Sequence, residues 1–188
     1  MTKLTTKQKD AFLKQHEEVL AECLDKIRRY IAVQDVRVPA KFNGRLSSTM
    51  GRAQFHLFSG YLVEYSSKLY ALATPEKIRN NMIHEICHVI GHRISGRMAH
   101  DRTWKRLMVI CGEAPQRCYQ ATEANFGENT EKVLAAKKAR RRGKRHRMAC
   151  GCVMGPVQYK RIQSGSVKSY RCRHGIITKT TLQVKETI

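Results

Sequence analysis

The sequence lacks any long run of apolar residues. No stretch approaches the ~20 consecutive apolar residues that a membrane-spanning helix requires, so we expect no membrane segment. Charged residues near the N-terminus are not followed by an apolar stretch, which argues against a secretory signal and predicts a cytoplasmic protein. Hydrophobic residues still make up 41% of the chain, as is typical of globular proteins.

Acidic residues are scarce at the C-terminal end. Residues 132–188 contain 16 Lys and Arg but a single acidic residue, Glu186, and they carry most of the net charge of +21. Such an excess indicates a polyanionic partner, most simply DNA that is single-stranded or bound without regard to sequence. The alternative is a solvated basic segment that only keeps the protein soluble.

The cysteines do not suggest a disulfide framework. Seven is an odd number, and no secretory signal accompanies them, so we expect reduced thiols. The first four, Cys23, Cys87, Cys111 and Cys118, are interpreted mainly as small buried apolar residues. The last three are possible metal ligands.

The composition predicts three parts: a domain at 1–131, a basic linker at 132–147 and a small β unit at 148–188. The first is expected to be of α+β class, with a small antiparallel sheet. The last is short enough to need a metal ion for stability. Within the first domain the pattern predicts three helices: one ending near Ile31, one from Pro75 to Ile94 and one from about 100 to Ile110. Between the first two it predicts an extended segment at 33–38 that is stopped by Pro39. An antiparallel hairpin is predicted from 53–58 and 61–65.

The motif His84-Glu85-Ile86-Cys87-His88 lies within the helix predicted from Pro75. Residues four apart lie one turn above each other, so both imidazoles can bind one zinc ion. Glu85 projects about 100° away from His84, where it can contact water without being a ligand. Such a zinc ion activates water, and Glu85 as general base would remove the water's proton and deliver it to the leaving amine.

A catalytic zinc site requires a third protein ligand. The metzincin pattern would need a histidine where Ile94 stands, so that family is excluded. His92 lies on the same straight helix and is expected to cap its end or line the cleft. His100 follows a turn that can return the chain to the metal and is the preferred third ligand. Glu113 and Glu123 remain alternatives.

The histidine motif, the short loop after it and the segment His100-Asp-Arg-Thr-Trp104-Lys-Arg-Leu-Met108 together resemble the SprT/Spartan family of metalloproteases. The likeness extends over most of the chain beyond about residue 45. It implies a zincin-like metalloprotease fold, a catalytic zinc held by His84, His88 and His100, with Glu85 as the catalytic residue, and often a C-terminal zinc ribbon. It also implies a hydrolase of DNA repair that cleaves proteins bound or crosslinked to DNA. Trp104 and Met108 are interpreted as packing residues.

The C-terminal cysteines form a second possible metal site. Cys150-Gly-Cys152 and Cys172-Arg-His174 suit a second, structural zinc, although zinc ribbons usually present two Cys-x-x-Cys pairs. The fourth ligand is open between His174 and His146.

Tyr159, Lys160, Arg161, Lys168, Tyr170 and Arg171 are expected on short strands. Their aromatic rings could stack on bases while their cations meet phosphate, or they could be ordinary sheet surface. The basic residues expected to contact nucleic acid are Lys137, Lys138, Arg140, Arg141, Arg142, Lys144, Arg145, Arg147, Lys160 and Arg161.

These features support a zinc metallopeptidase acting as a monomer on proteins that are bound to DNA. A non-catalytic DNA-binding or regulatory zinc protein is the first alternative, although a purely structural zinc would have no need of Glu85. A processing protease whose basic tail binds an acidic protein is the second.

Overall fold

The computed structural model describes residues 4–141 and 146–187 and shows two compact units. Unit 1 is Met1–Val133 and unit 2 is Leu134–Ile188. Among the described residues, no helix has both the length and the apolar character needed to cross a bilayer.

Unit 1 combines helices with one small sheet, so the predicted α+β class is confirmed for this unit. A 3-10 turn at Gly127–Asn129 leads into α6 (Thr130–Arg141), which continues into unit 2. In chain order the preceding elements are α1 (Thr6–Arg28), β1 (Ala40–Asn43), β2 (Gly51–His56), β3 (Gly60–Ser66), α2 (Ser67–Tyr70), α3 (Pro75–Ser95), α4 (Arg102–Ile110) and α5 (Glu123–Phe126).

Helix α1 starts at a capping box, in which Thr5 and Gln8 satisfy each other's backbone N–H groups. It ends at Arg28, three residues before the predicted end, in a tighter turn in which the carbonyl of Ile27 accepts the N–H of Tyr30 at 3.0 Å. Its buried face carries one polar residue, His16, whose Nδ1 lies 2.7 Å from the Tyr65 hydroxyl.

The sheet has the order β1-β3-β2, with β2 and β3 antiparallel and β1 parallel to β3. The hairpin is confirmed, but the prediction of a purely antiparallel sheet is wrong. The residue pattern reports which side chains are buried and carries little information on strand direction. The extended segment predicted at 33–38 forms no strand, and Pro39 instead directly precedes β1. It has no N–H to donate, yet its carbonyl accepts the Val63 N–H at 2.9 Å.

Helix α3 crosses the core and carries the histidine motif. Thr74 caps its first turn, Pro75 occupies the first helical position, and Gly96 ends it in the left-handed conformation at φ 69°. The predicted helix is thus confirmed to within one residue. Helix α4 begins after the cap Asp101 and buries Trp104 and Met108, as predicted.

Unit 2 contains β4 (His146–Met148), β5 (Val153–Met154), α7 (Pro156–Gln163), β6 (Ser169–Cys172), β7 (Gly175–Thr178) and β8 (Val184–Thr187). Strands β5, β4 and β8 form one sheet, and β6 and β7 form a hairpin. Tyr159, Lys160 and Arg161 lie on α7, so their placement on a strand was wrong. Pro156 occupies the first position of this helix, where proline is favoured. The apolar and aromatic residues of the segment did not by themselves indicate a helix.

Candidate metal centres

Three imidazoles converge in unit 1. Helix α3 places His84 and His88 one turn apart, and the loop before α4 brings in His100. The Nε2 atom of His100 lies 3.1 Å from Nε2 of His84 and 3.1 Å from Nε2 of His88. Tetrahedral ligands at the usual Zn–N distance are about 3.3 Å apart, so this donor set fits zinc.

The charge state of the three rings favours a cation at their centre. Burial, together with the other histidines, lowers the pKa of His84 to about 3 and that of His88 to about 4; burial also lowers the pKa of His100. All three are therefore neutral near pH 7. A neutral ring has one N–H, so His100 Nε2 can satisfy at most one of its two neighbours, whereas a cation would satisfy all three lone pairs.

Trp104 forms a wall behind the cluster. Its indole ring lies 4.7, 5.3 and 4.5 Å from the rings of His84, His88 and His100, and its Nε1–H donates to the carbonyl of His84 at 3.2 Å. The sequence suggested only a packing role. In the structure it also packs against all three imidazoles, a position from which the surroundings of a metal site can orient the ligands.

Glu85 lies beside the motif histidines but is directed toward the sheet. Its side chain is buried, Oε2 accepts the Ala53 N–H of β2 at 2.9 Å, and Oε1 accepts the Asn81 Nδ2–H at 3.4 Å. Burial raises the pKa of Glu85 to about 7, and the two hydrogen bonds partly oppose the shift. The carboxyl group is therefore able to exchange a proton near neutral pH.

Gly51 is a site residue that the sequence did not reveal. A Cβ atom at this first residue of β2 would lie 2.7 Å from Cγ and Oε1 of Glu85 and 2.9 Å from Oδ1 of Asn81. Only glycine leaves room for the buried carboxylate at this point.

Replacing Gly51 by alanine is therefore expected to lower the free energy of unfolding by about 1–3 kcal/mol, as overpacking of a core does. Urea unfolding monitored by circular dichroism measures it. Gly44→Ala is the matched control, because its Cβ would meet only Ser67 Oγ, at 3.7 Å. Equal stability of the two variants would show that Glu85 can move aside.

The other proposed ligands lie elsewhere. Nδ1 of His92 is 2.9 Å from the Tyr61 hydroxyl, and its ring packs on Phe55 at 4.7 Å. Glu113 accepts a hydrogen bond from Asn80 at 2.7 Å, and Glu123 opens α5. Among the described residues, none of these three belongs to the histidine group.

Unit 2 has a second cluster, formed where two hairpins turn. Sγ of Cys150 lies 3.9 Å from Sγ of Cys172, and Sγ of Cys152 lies 3.2 Å from Nδ1 of His174. All four donor atoms are within 4.8 Å of one another. Thiolates about 3.8 Å apart suit tetrahedral zinc, so this set also fits the ion.

The local backbone favours this second cluster. The backbone N–H of His174 donates to the Cys172 sulfur and lowers the pKa of its thiol, which favours the ligating thiolate. Among the described residues, His174 and not His146 lies with the three cysteines. The His146 ring instead stacks on Tyr159 with centroids 3.9 Å apart. The identity of the fourth ligand stays a prediction, and this geometry favours His174.

The predicted nucleic-acid contacts are spread over several elements. Lys137, Lys138, Arg140 and Arg141 lie on α6, Arg147 on β4, and Lys160 and Arg161 in the last turn of α7. Lys160 and Arg161 are exposed. Arg142, Lys144 and Arg145 lie outside the described residues.

Comparison with known proteins bears mainly on unit 1. The profile of a family described as the SprT-like family matches residues 15–125, which is more than half of the chain. The Germ cell nuclear acidic-1 protein of Caenorhabditis elegans is 27% identical over 168 residues, covering 81% of this chain. The matched region is only 31% of that protein's length. No solved structure matches significantly.

Proposed function

Because this chain belongs to the SprT-like family, we propose that it is a zinc-dependent metallopeptidase that cleaves proteins bound or crosslinked to DNA. One observation supports the catalytic part above all others. Three neutral imidazoles converge through Nε2, and a buried carboxylate stands next to them in sequence without joining the group. A purely structural site gains nothing from burying Glu85 there.

The residues of the site would divide the reaction between them. A zinc ion held by His84, His88 and His100 would lower the pKa of a bound water and polarise the scissile carbonyl. Glu85, whose two carboxylate oxygens accept hydrogen bonds from Asn81 and Ala53 and do not join the donor group, would take the water's proton. With a pKa of about 7, Glu85 can then return that proton to the leaving amine.

The charge of the C-terminal region supports the DNA part of the proposal. Residues 132–188 carry 16 basic residues against one acidic residue, far beyond what solubility needs. In unit 2 the four cysteine and histidine donors would hold a second zinc ion, which stabilises a small unit that presents Lys160 and Arg161 to solvent. This unit would bind nucleic acid through phosphate and would not read sequence.

Removing two of these cations should weaken DNA binding in a salt-dependent way. For the double variant Lys160→Ala/Arg161→Ala, the slope of log affinity against log salt is expected to become shallower by about 1.4, since each lost contact to a single strand contributes about 0.7. Fluorescence anisotropy with single-stranded oligonucleotides at several salt concentrations measures this. Lys7→Ala/Lys14→Ala, two exposed lysines of α1, is the matched control and should keep the original slope.

The proposal is tested by incubating the zinc-loaded protein with a DNA-binding protein, with and without single-stranded DNA. Cleavage that DNA stimulates is expected. Cleavage of one specific protein without any response to DNA would favour a processing protease instead. DNA binding without cleavage of any protein would favour a non-catalytic regulator.

A further inference from the structure

Two buried polar side chains, one from α2 and one from α3, are linked by hydrogen bonds to the Glu85 carboxylate. Asn81 precedes Glu85 by one turn on α3, and its Nδ2 donates to Oε1 of Glu85 at 3.4 Å. Oδ1 of the same amide accepts the hydroxyl of Tyr70 at 3.1 Å. Tyr70 and Asn81 are 2% and 8% exposed, so water competes little for these bonds.

The chemistry of the three groups fixes the direction of these hydrogen bonds. Asn81 turns its NH₂ group toward Glu85, where Oε1 accepts the hydrogen bond. Its carbonyl oxygen then faces Tyr70, whose hydroxyl must be the donor. With Ala53 N–H on Oε2, each carboxylate oxygen receives one defined donor.

The Tyr70 hydroxyl is itself held in place by aromatic packing. Its ring makes edge contacts with Phe12 at 5.7 Å and Phe42 at 5.4 Å, and lies tilted on Tyr65 at 5.0 Å. A ring packed on three sides keeps its hydroxyl in one position. The packed Tyr70 ring thereby holds the Asn81 amide in one orientation, and the amide in turn holds the carboxylate.

We propose that Asn81 and Tyr70 are positioning residues that orient the Glu85 carboxylate for proton transfer. This inference rests on the proposed function, because the role of Glu85 as a base comes from the proposed peptidase activity. Neither residue need touch substrate. A misplacement of about 1 Å at a catalytic group can cost about 10²-fold in rate. The bond from Asn81 to Glu85, and the bond from Tyr70 that orients Asn81, should therefore have a measurable effect.

The test compares Tyr70→Phe and Asn81→Leu with the wild-type full-length protein. Tyr70→Phe removes one hydroxyl and frees the amide, so kcat should fall about 3–10-fold. Asn81→Leu removes the donor itself, so kcat should fall about 10–100-fold. In both, KM and the zinc content should be unchanged, because neither residue belongs to the metal-donor group or is needed to hold substrate, and a misplaced carboxylate affects only the chemical step.

Tyr65→Phe is the matched control. It removes a hydroxyl from the same aromatic core, but that hydroxyl is bonded to His16 Nδ1 at 2.7 Å and not to Asn81. It should lower the thermal midpoint as Tyr70→Phe does, while kcat stays at the wild-type value. A kcat loss in Tyr65→Phe as large as in Tyr70→Phe would overturn the proposal, because core stability would then be the cause.

A readout without turnover keeps the inference separate from the proposed function. The Ala53 N–H donates to Oε2 of Glu85, so its amide signal in a ¹H–¹⁵N spectrum reports where the carboxylate lies. We expect the signal to move in Tyr70→Phe and Asn81→Leu and to stay in Tyr65→Phe. Unmoved signals in both variants would overturn the inference. If the wild type cleaves nothing while the signals move as expected, the proposed function fails but the positioning of Glu85 stands.

Discussion

Replacing Glu85 with glutamine is expected to lower kcat for protein cleavage by about 10²–10⁴-fold while zinc remains bound, because a positioned general base contributes that much. Glutamine keeps the shape of the side chain and an oxygen to accept the Ala53 N–H, but it cannot take a proton. Cleavage of a DNA-bound substrate and zinc content by atomic absorption, measured on the same preparation, test this result.

Two further variants make the experiment specific. His88→Ala should lose both cleavage and the zinc of unit 1, since it removes one of three Nε2 donors. Glu76→Gln, an exposed acid in the first turn of α3, should change neither. If Glu85→Gln cleaved at the wild-type rate, Glu85 would not be the base and the mechanism would be wrong.

The second large effect concerns unit 2. Replacing Cys172 by serine is expected to lower the zinc content from two ions to one per chain and to unfold unit 2 while unit 1 stays folded. Only four residues, Met148, Met154, Ile162 and Ile177, form its described apolar core. So small a core needs a metal, and structural zinc supplies about 10–16 kcal/mol of binding free energy.

Hydrogen exchange followed by mass spectrometry would locate the effect. Protection should disappear from peptides of 146–187 and persist in α3. Cys118→Ser is the matched control, since Cys118 is exposed and belongs to neither donor group among the described residues. A unit 2 that retained full protection after Cys172→Ser would mean that it folds without this metal site.

Local signals explain what the sequence could predict. Helix α3 has a capping threonine, a proline at its first position and a glycine at its end, all within one segment. The spacing of the motif then brings His84 and His88 together by helical geometry alone. His100 was within reach because only a short loop separates it from the helix. Their role as zinc ligands remains a prediction, as does that of the four donors in unit 2.

Contacts between distant segments could not be predicted. The close approach of Gly51 to Glu85 and the bond from Ala53 link residues more than thirty positions apart. The hydrogen bond from Tyr70 to Asn81 depends on how α2 packs against α3. The same limit applies to strand direction, since residue patterns show which face of a strand is buried and not which neighbour it pairs with.

The parallel pairing of β1 with β3 has a consequence for how the chain folds. The β2–β3 hairpin closes over a short turn and can form within about 1–10 μs. Strand β1 pairs with β3, some twenty residues further along the chain, so this pairing is expected to form later. Until it docks, Ala40–Asn43 is an unpaired strand that another copy could capture. Lys41 carries a charge, and Pro39 just before the strand offers no N–H, so both oppose this capture during synthesis.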